Sequence, residues 1–196
     1  MKTFSSHAAE YLQRLQTLLA QMEPAVLETI AAELVRAYKD DANIYVVGNG
    51  GSASTASHMS CDLSKGTLSP AHRRLRVVSL TDNMAWFSAI ANDFGYEEVF
   101  VEQLRTIIRP GDLVISISAS GNSPNVVKAV QFAKDKGVKT ISLLGFKGGK
   151  LKEISDIVLH LEGTDYGTIE DAHLILNHML VEYMRDYIHS QEGAAQ

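Results

Sequence analysis

Two histidine–carboxylate pairs stand out in this 196-residue chain. His58 and Asp62 are four residues apart, and Glu170 and His178 are eight apart. On a helix the first spacing puts both side chains on one face, and the second leaves them about 80° apart after two turns. Two imidazoles and two carboxylates form a ligand set suited to a first-row divalent ion such as Zn2+. The plainer alternative is a pair of solvated helix faces with a core histidine. Spacing alone does not bring the two helices together, and Asp171 and His173 compete for the same assignment. Cys61 lies between His58 and Asp62 but points elsewhere on its helix, so it is expected to pack rather than bind.

Two loops offer a different chemistry. Gly48-Asn49-Gly50-Gly51-Ser52 follows an apolar run and leads into a helical pattern. Glycines allow a sharp turn and close backbone approach to a ligand, and a helix start offers free N–H groups to an anion. The loop lacks the Gly-Lys-Ser/Thr of a P-loop and the third glycine of GxGxxG, so a plain tight turn is its alternative. The segment Ser118-Ala119-Ser120-Gly121-Asn122-Ser123-Pro124 places three hydroxyls before a proline that can open a helix. Hydroxyls, amides and a helix dipole can cradle phosphate without lysine; a single capping serine is the alternative. Asn92 and Asp93, before Phe94-Gly95, read as a helix stop or as contacts to a sugar hydroxyl. Thr81-Asp82-Asn83 reads as an N-cap, and Arg73, Arg74 and Arg76 as a solvated basic face.

The elements that would position these groups follow from periodicity. Leu12, Leu15, Leu19 and Met22 mark a helix over 7–22, and Val26, Ile30, Leu34 and Val35 a second over 24–38, opened by Pro24. A leucine stripe of this kind suits packing or self-association. Short apolar runs then recur at 43–47, 75–79, 113–117, 139–144 and 156–161. Between them lie helical patterns over 53–65, 83–105 (with a break near Gly95) and 124–136, and a last helix spans 166–190. Strand–helix alternation predicts an α/β fold with a mainly parallel sheet covered on both faces. Ligands of such sheets sit beyond the carboxyl ends of the strands, where both glycine- and serine-rich loops fall. The expected organisation is a helical extension (1–38), an α/β core (39–190) and a flexible tail (191–196) in a single domain.

Composition narrows the function classes. A net charge of −5 argues against a broad nucleic-acid face. One cysteine excludes an internal disulfide and multi-cysteine zinc sites. No stretch approaches the roughly 18 apolar residues of a membrane span, and the N-terminus lacks a signal-like apolar core, so a cytoplasmic location is expected.

Taken together, GNGGS at 48–52, His58 and Asp62, ANDFG at 91–95, PGD at 110–112, SASGNSPNVVKA at 118–129 and GGK at 148–150 resemble the sugar isomerase (SIS) family along nearly the whole chain. The resemblance implies a three-layer sandwich around a five-stranded parallel sheet. It implies an aldose–ketose isomerase acting on a phosphosugar through an enediol. The expected substrate is sedoheptulose 7-phosphate, converted to D-glycero-D-manno-heptose 7-phosphate. Ser118, Ala119, Ser120 and Ser123 would hold the phosphate, and Asn49, Gly50, Gly51, Ser52, Asn92 and Asp93 would line the sugar. The resemblance also implies a homotetramer and one Zn2+ per subunit on His58, Asp62, Glu170 and His178. In the family the second and third ligands are Glu and Gln, so Asp62 is one methylene shorter and Glu170 adds a charge. The base is then Asp62 or Glu170, with His178 serving the sugar oxygens. Rival readings are a non-catalytic SIS protein like the DnaA initiator-associating protein, or an isomerase or sensor for another sugar phosphate.

Overall fold

A computed structural model describes residues 2–70 and 72–191. Helices α1 (Phe4–Leu19) and α2 (Pro24–Lys39) precede β1 (Asn43–Gly48) and α3 (Gly51–Lys65). Then come β2 (Arg76–Ser79), α4 (Met84–Asp93), a 3₁₀ turn (Tyr96–Glu98), α5 (Val101–Ile107), β3 (Leu113–Ser118) and α6 (Pro124–Asp135). The chain continues through β4 (Lys139–Leu144), α7 (Gly149–Ile154), β5 (Ile157–His160) and α8 (Tyr166–Ser190). Apart from Gln191, the expected tail lies outside the described residues.

The five strands form one sheet in the order β2-β1-β3-β4-β5, and every pairing is parallel. Parallel strands need crossovers, and these cover both faces. Alternate residues supply the two cores. Ile44, Val46, Ile115, Ile117, Ile141 and Leu143 pack under α1, α2, α3 and α8. Tyr45, Val47, Val114 and Leu144 pack under α4, α5, α6 and α7. The central strand β3 is buried along its whole length. The α/β fold and parallel sheet expected from periodicity are therefore present.

Some boundaries and faces differ from expectation. In α1 the inward face carries Tyr11, Leu15 and the fully buried Leu18, whereas Leu12 is 63% exposed. Leu15, Leu19 and Met22 of the expected stripe do pack on the core, and Tyr11, not Leu12, faces α8, where Gly167 leaves room for its ring. On α8, Met179 and Tyr183 face outward, while Leu176, Leu180 and Met184 are buried. Cys61 is exposed on α3, so the expectation that it packs is corrected: Met59 and Leu63 take the core positions beside it. The six-residue α7 was not marked by periodicity, because so short a helix carries too few apolar positions.

Helix α8 starts at an acidic cap. The Asp165 carboxylate accepts the Thr168 N–H at 2.9 Å, and Arg14 of α1 approaches it at 3.4 Å. The backbone hydrogen bond from Thr168 holds this carboxyl below its ordinary pKa. Asp165→Ala is expected to cost about 1 kcal/mol of stability at neutral pH. Because the folded-state pKa is the lower one, the charged cap contributes fully above about pH 5 and its contribution is lost as pH falls through the folded value. Urea midpoints of wild type and variant should therefore differ at pH 7 and converge in acid; an acid-independent gap would contradict the assignment.

Candidate functional site

The loops after β1 and β3 lie side by side because these strands are neighbours, with Gly48 level with Ile117. This is the point where strand order reverses, the usual ligand position in such sheets. The loops open a pocket of about 140 Å³. Asn49 and Ser52 line it from the first loop, Ser118, Ala119, Ser120 and Ser123 from the second, and Tyr166 and Glu170 from α8. No lysine or arginine lines it, so any anion held there is held by neutral donors. Larger grooves beside α1, about 520 Å³ and 710 Å³, lack a comparable convergence of loops.

The serine loop is arranged to donate. Ser118 Oγ accepts the Gly121 N–H at 3.0 Å, and Ser120 Oγ accepts the Asn122 N–H at 3.3 Å. Each hydroxyl thus keeps its hydrogen for another acceptor. Ser123 sits at the N-cap of α6 but makes no side-chain cap bond, so its hydroxyl is also uncommitted. The loop is braced against the start of α7. Asn122 Oδ1 accepts the Lys150 N–H at 2.9 Å, and Leu151 N–H donates to the Gly121 carbonyl at 3.0 Å. Gly121 has φ +65°, and a Cβ there would stand 1.9 Å from the Gly148 carbonyl oxygen.

A second cluster lies between α3 and α8. His58 Nε2 is 2.9 Å from Asp62 Oδ2 and 3.3 Å from His178 Nε2, and His178 Nε2 is 3.7 Å from Asp62 Oδ2. Zinc ligands at about 2.0–2.1 Å in a tetrahedron stand roughly 3.3 Å apart, so this triangle fits such an ion with little change. The three groups form a possible metal-binding set. Glu170 does not join that set. Its carboxylate lies on the Cα face of Gly51, where an added Cβ would meet it at 2.2–2.4 Å. Burial, with the charge of Asp171, pushes its pKa up.

The remaining expected residues fall into place as follows. Asp171 accepts the Tyr11 hydroxyl at 2.5 Å and is thereby drawn toward α1. Burial and this carboxylate push the tyrosine up to about 12. His173 is fully buried, and burial pushes its pKa down to about 4, so the ring is neutral. Asn92 and Asp93 are exposed, hydrogen-bond to each other at 2.8 Å and do not line the pocket. Gly50 does not line it either, and Gly51 acts as the seat of Glu170. Asn83 caps α4 through the Trp86 N–H, as its position suggested. Periodicity and motif spacing passed over Asn177, which is fully buried and donates from Nδ2 to Asp62 Oδ2 at 3.4 Å. They also passed over Tyr96 and Asn125, which both hydrogen-bond to Asn49. Asn125 lies inside the serine-loop motif, so it could have been flagged; nothing in the sequence marks Tyr96.

Comparisons with known proteins agree with this architecture. Residues 8–145 match the SIS domain model. The phosphoheptose isomerase of Pelobacter propionicus is 35% identical over 165 residues, covering 84% of this chain and 87% of that protein. Phosphoheptose isomerase of Helicobacter pylori strain Shi470 is 42% identical over 149 residues, covering 76% and 77%. The solved phosphoheptose isomerase of Neisseria gonorrhoeae superposes with a TM-score of 0.84 at 29% identity, covering 93% of this chain and 96% of that one.

The seat of Gly121 can be tested against a control. Gly137 has a similar φ of +71° but nothing within 4 Å of an added Cβ. Both alanine variants carry backbone strain, whereas only Gly121→Ala meets a carbonyl. Gly121→Ala is expected to lose about 1–3 kcal/mol beyond Gly137→Ala by urea denaturation. Limited proteolysis should then cut within 118–124 only in the first variant.

Proposed function

The chain belongs to the SIS domain family, and from that membership together with its site we propose that it is an isomerase of sedoheptulose 7-phosphate. The observation that supports this most is the single pocket shared by three serine hydroxyls with free hydrogens and one partly buried carboxylate. A phosphate anchor and a base at one ligand are the minimum for moving a proton along a phosphosugar.

In the proposed reaction Ser118, Ser120 and Ser123 hold the phosphate of the open-chain ketose. Glu170 takes a proton from C1, the C2 carbonyl oxygen becomes the second enediol hydroxyl, and the proton is returned to C2 as C1 becomes the aldehyde. We assign the base to Glu170 over Asp62 on geometry. Asp62 Oδ2 already faces His58, His178 and Asn177, whereas Glu170 lies in the pocket and accepts no hydrogen bond from the described residues. Its raised pKa strengthens it as a base. His178 Nε2 faces the cluster, which leaves the other ring nitrogen to pass a proton between the sugar oxygens. His58, Asp62 and His178 would hold Zn2+, which when bound would supply Lewis-acid stabilisation of the developing enediolate.

Phe4 is 86% exposed and Leu12 63% exposed on α1, apolar surface that supports assembly into a homotetramer. No helix among the described residues is long and apolar enough to cross a membrane.

Purified protein loaded with Zn2+ is expected to convert sedoheptulose 7-phosphate to the heptose 7-phosphate; absence of turnover would overturn the reading. Glu170→Gln should lower kcat by about 10²–10⁴-fold with zinc stoichiometry unchanged. Asp62→Ala should instead weaken zinc binding, measured by equilibrium dialysis and metal analysis. Near-normal turnover in Glu170→Gln would return the base to Asp62.

A further inference from the structure

One amide at the pocket, that of Asn49, joins three segments of the chain. Asn49 Nδ2 donates to Asn125 Oδ1 at 2.9 Å, and Asn125 Nδ2 donates back to Asn49 Oδ1 at 2.9 Å. The Tyr96 hydroxyl reaches the same Asn49 Oδ1 at 2.9 Å. Asn49 belongs to the loop after β1, Asn125 to the first turn of α6 behind the serine loop, and Tyr96 to the 3₁₀ turn beyond α4.

The polarity of this network is fixed at one end. The Val126 backbone N–H donates to Asn125 Oδ1 at 3.0 Å, and a backbone N–H can only donate. Asn125 Oδ1 is therefore the oxygen. Its amide nitrogen must then face Asn49 Oδ1, and the Asn49 nitrogen must face Asn125 Oδ1. The Tyr96 hydroxyl, meeting an oxygen, must be a donor. Asn125 is 1% exposed, so no competing solvent orientation is open to it.

We infer that Tyr96 and Asn125 are positioning residues that turn Asn49 into a pure donor toward the pocket. With two donors on Oδ1, the Asn49 carbonyl is saturated. One Nδ2 hydrogen is committed to Asn125, and the other remains for a ligand. Asn49 lines the same pocket as Ser118, Ser120 and Ser123, which also offer hydrogens. The ligand atom that meets Asn49 is thus an acceptor oxygen, of a phosphate or a carbonyl, and not a hydroxyl acting as donor. This rests on the phosphosugar reading for the identity of the ligand, but the network itself does not.

The experiment uses the full chain with Tyr96→Phe, which keeps the ring, and Asn125→Ser, which removes both amide groups. In protein labelled with 15N at asparagine, the side-chain amide signals of Asn49 should shift in Tyr96→Phe without any ligand. Calorimetric titration with inorganic phosphate should show about three- to ten-fold weaker binding in Tyr96→Phe, the effect of one lost hydrogen bond. For sedoheptulose 7-phosphate, KM should rise by a similar factor with kcat within about two-fold, whereas a purely structural role would lower kcat and the thermal midpoint instead. Asn125→Ser should show the same pattern more strongly. Unmoved amide signals in Tyr96→Phe overturn the network. Shifted signals with unchanged phosphate affinity overturn the positioning role. Shifted signals and weakened phosphate binding, in a protein that does not turn over the heptulose, support the inference and sink the substrate reading.

Discussion

The chemistry of this protein depends on one helix–helix contact. α3 and α8 run in the same direction along one face of the sheet. Gly51 meets Glu170 near their starts, Asp62 meets Asn177 midway, and Gly66 meets Val181 at the end of α3. Residues more than a hundred positions apart thereby become neighbours. The contact is held by ordinary apolar burial, with Met59 and Leu63 on α3 and Ala172, Leu176 and Leu180 on α8 in one core. Each large side chain of that kind contributes about 1.5–3 kcal/mol when fully buried. The polar groups sit where glycine lets the helices close or at the solvent edge of the same seam. Without that packing His58 and Asp62 would be a solvated pair, and Glu170 a surface carboxylate.

The sheet supplies the other half of the arrangement. All-parallel pairing sends every strand end to the same edge, so the loops after β1 and β3 must meet. Those loops then carry hydroxyl and amide donors and no cationic side chain into the pocket. This makes an acidic chain compatible with the proposed anion site: apart from Glu170 the pocket is lined by uncharged residues, and the cradle would work by fixed dipoles. Where the donors are neutral, their direction matters more than their charge. That gives weight to the braces behind them, Asn122 against α7 and Asn125 against Asn49.

Much of the fold was legible because it is written in periodicities. β4 and α8 appear over the ranges their patterns predict, and α2 ends one residue later. The helix break near Gly95 is real, and the chain there passes through a 3₁₀ turn before α5. α7 escaped notice because six residues opened by two glycines show no stripe. The site was legible in its residue types but only partly in its grouping. His58, Asp62 and His178 converge as one would expect from spacing plus resemblance. Glu170 went to the serine pocket because helical rotation separates it from His178 and the missing Cβ of Gly51 leaves it a seat. Asn92 and Asp93 form the end of α4 and hydrogen-bond to each other outside the serine pocket, while Phe94 and the left-handed Gly95 end the helix. Such outcomes turn on side-chain direction in three dimensions, which one-dimensional spacing does not carry.

The bracing of the serine loop against α7 has a consequence for ligand size. Gly121 leaves no room for a Cβ beside the Gly148 carbonyl, and the Lys150 and Leu151 N–H groups donate to Asn122 and Gly121, so the serine loop is tied to the start of α7. On the proposed reading, a phosphate held there would be a fixed origin. From that origin α8 runs outward as a rigid rod, and Glu170 to His178 spans about 12 Å of it. In the proposed reaction a bound chain would be measured from that origin: the carbon that meets Glu170 depends on how many carbons separate it from the phosphate. Adaptation to a longer or shorter sugar would rewrite the marks on the rod and leave its zero untouched.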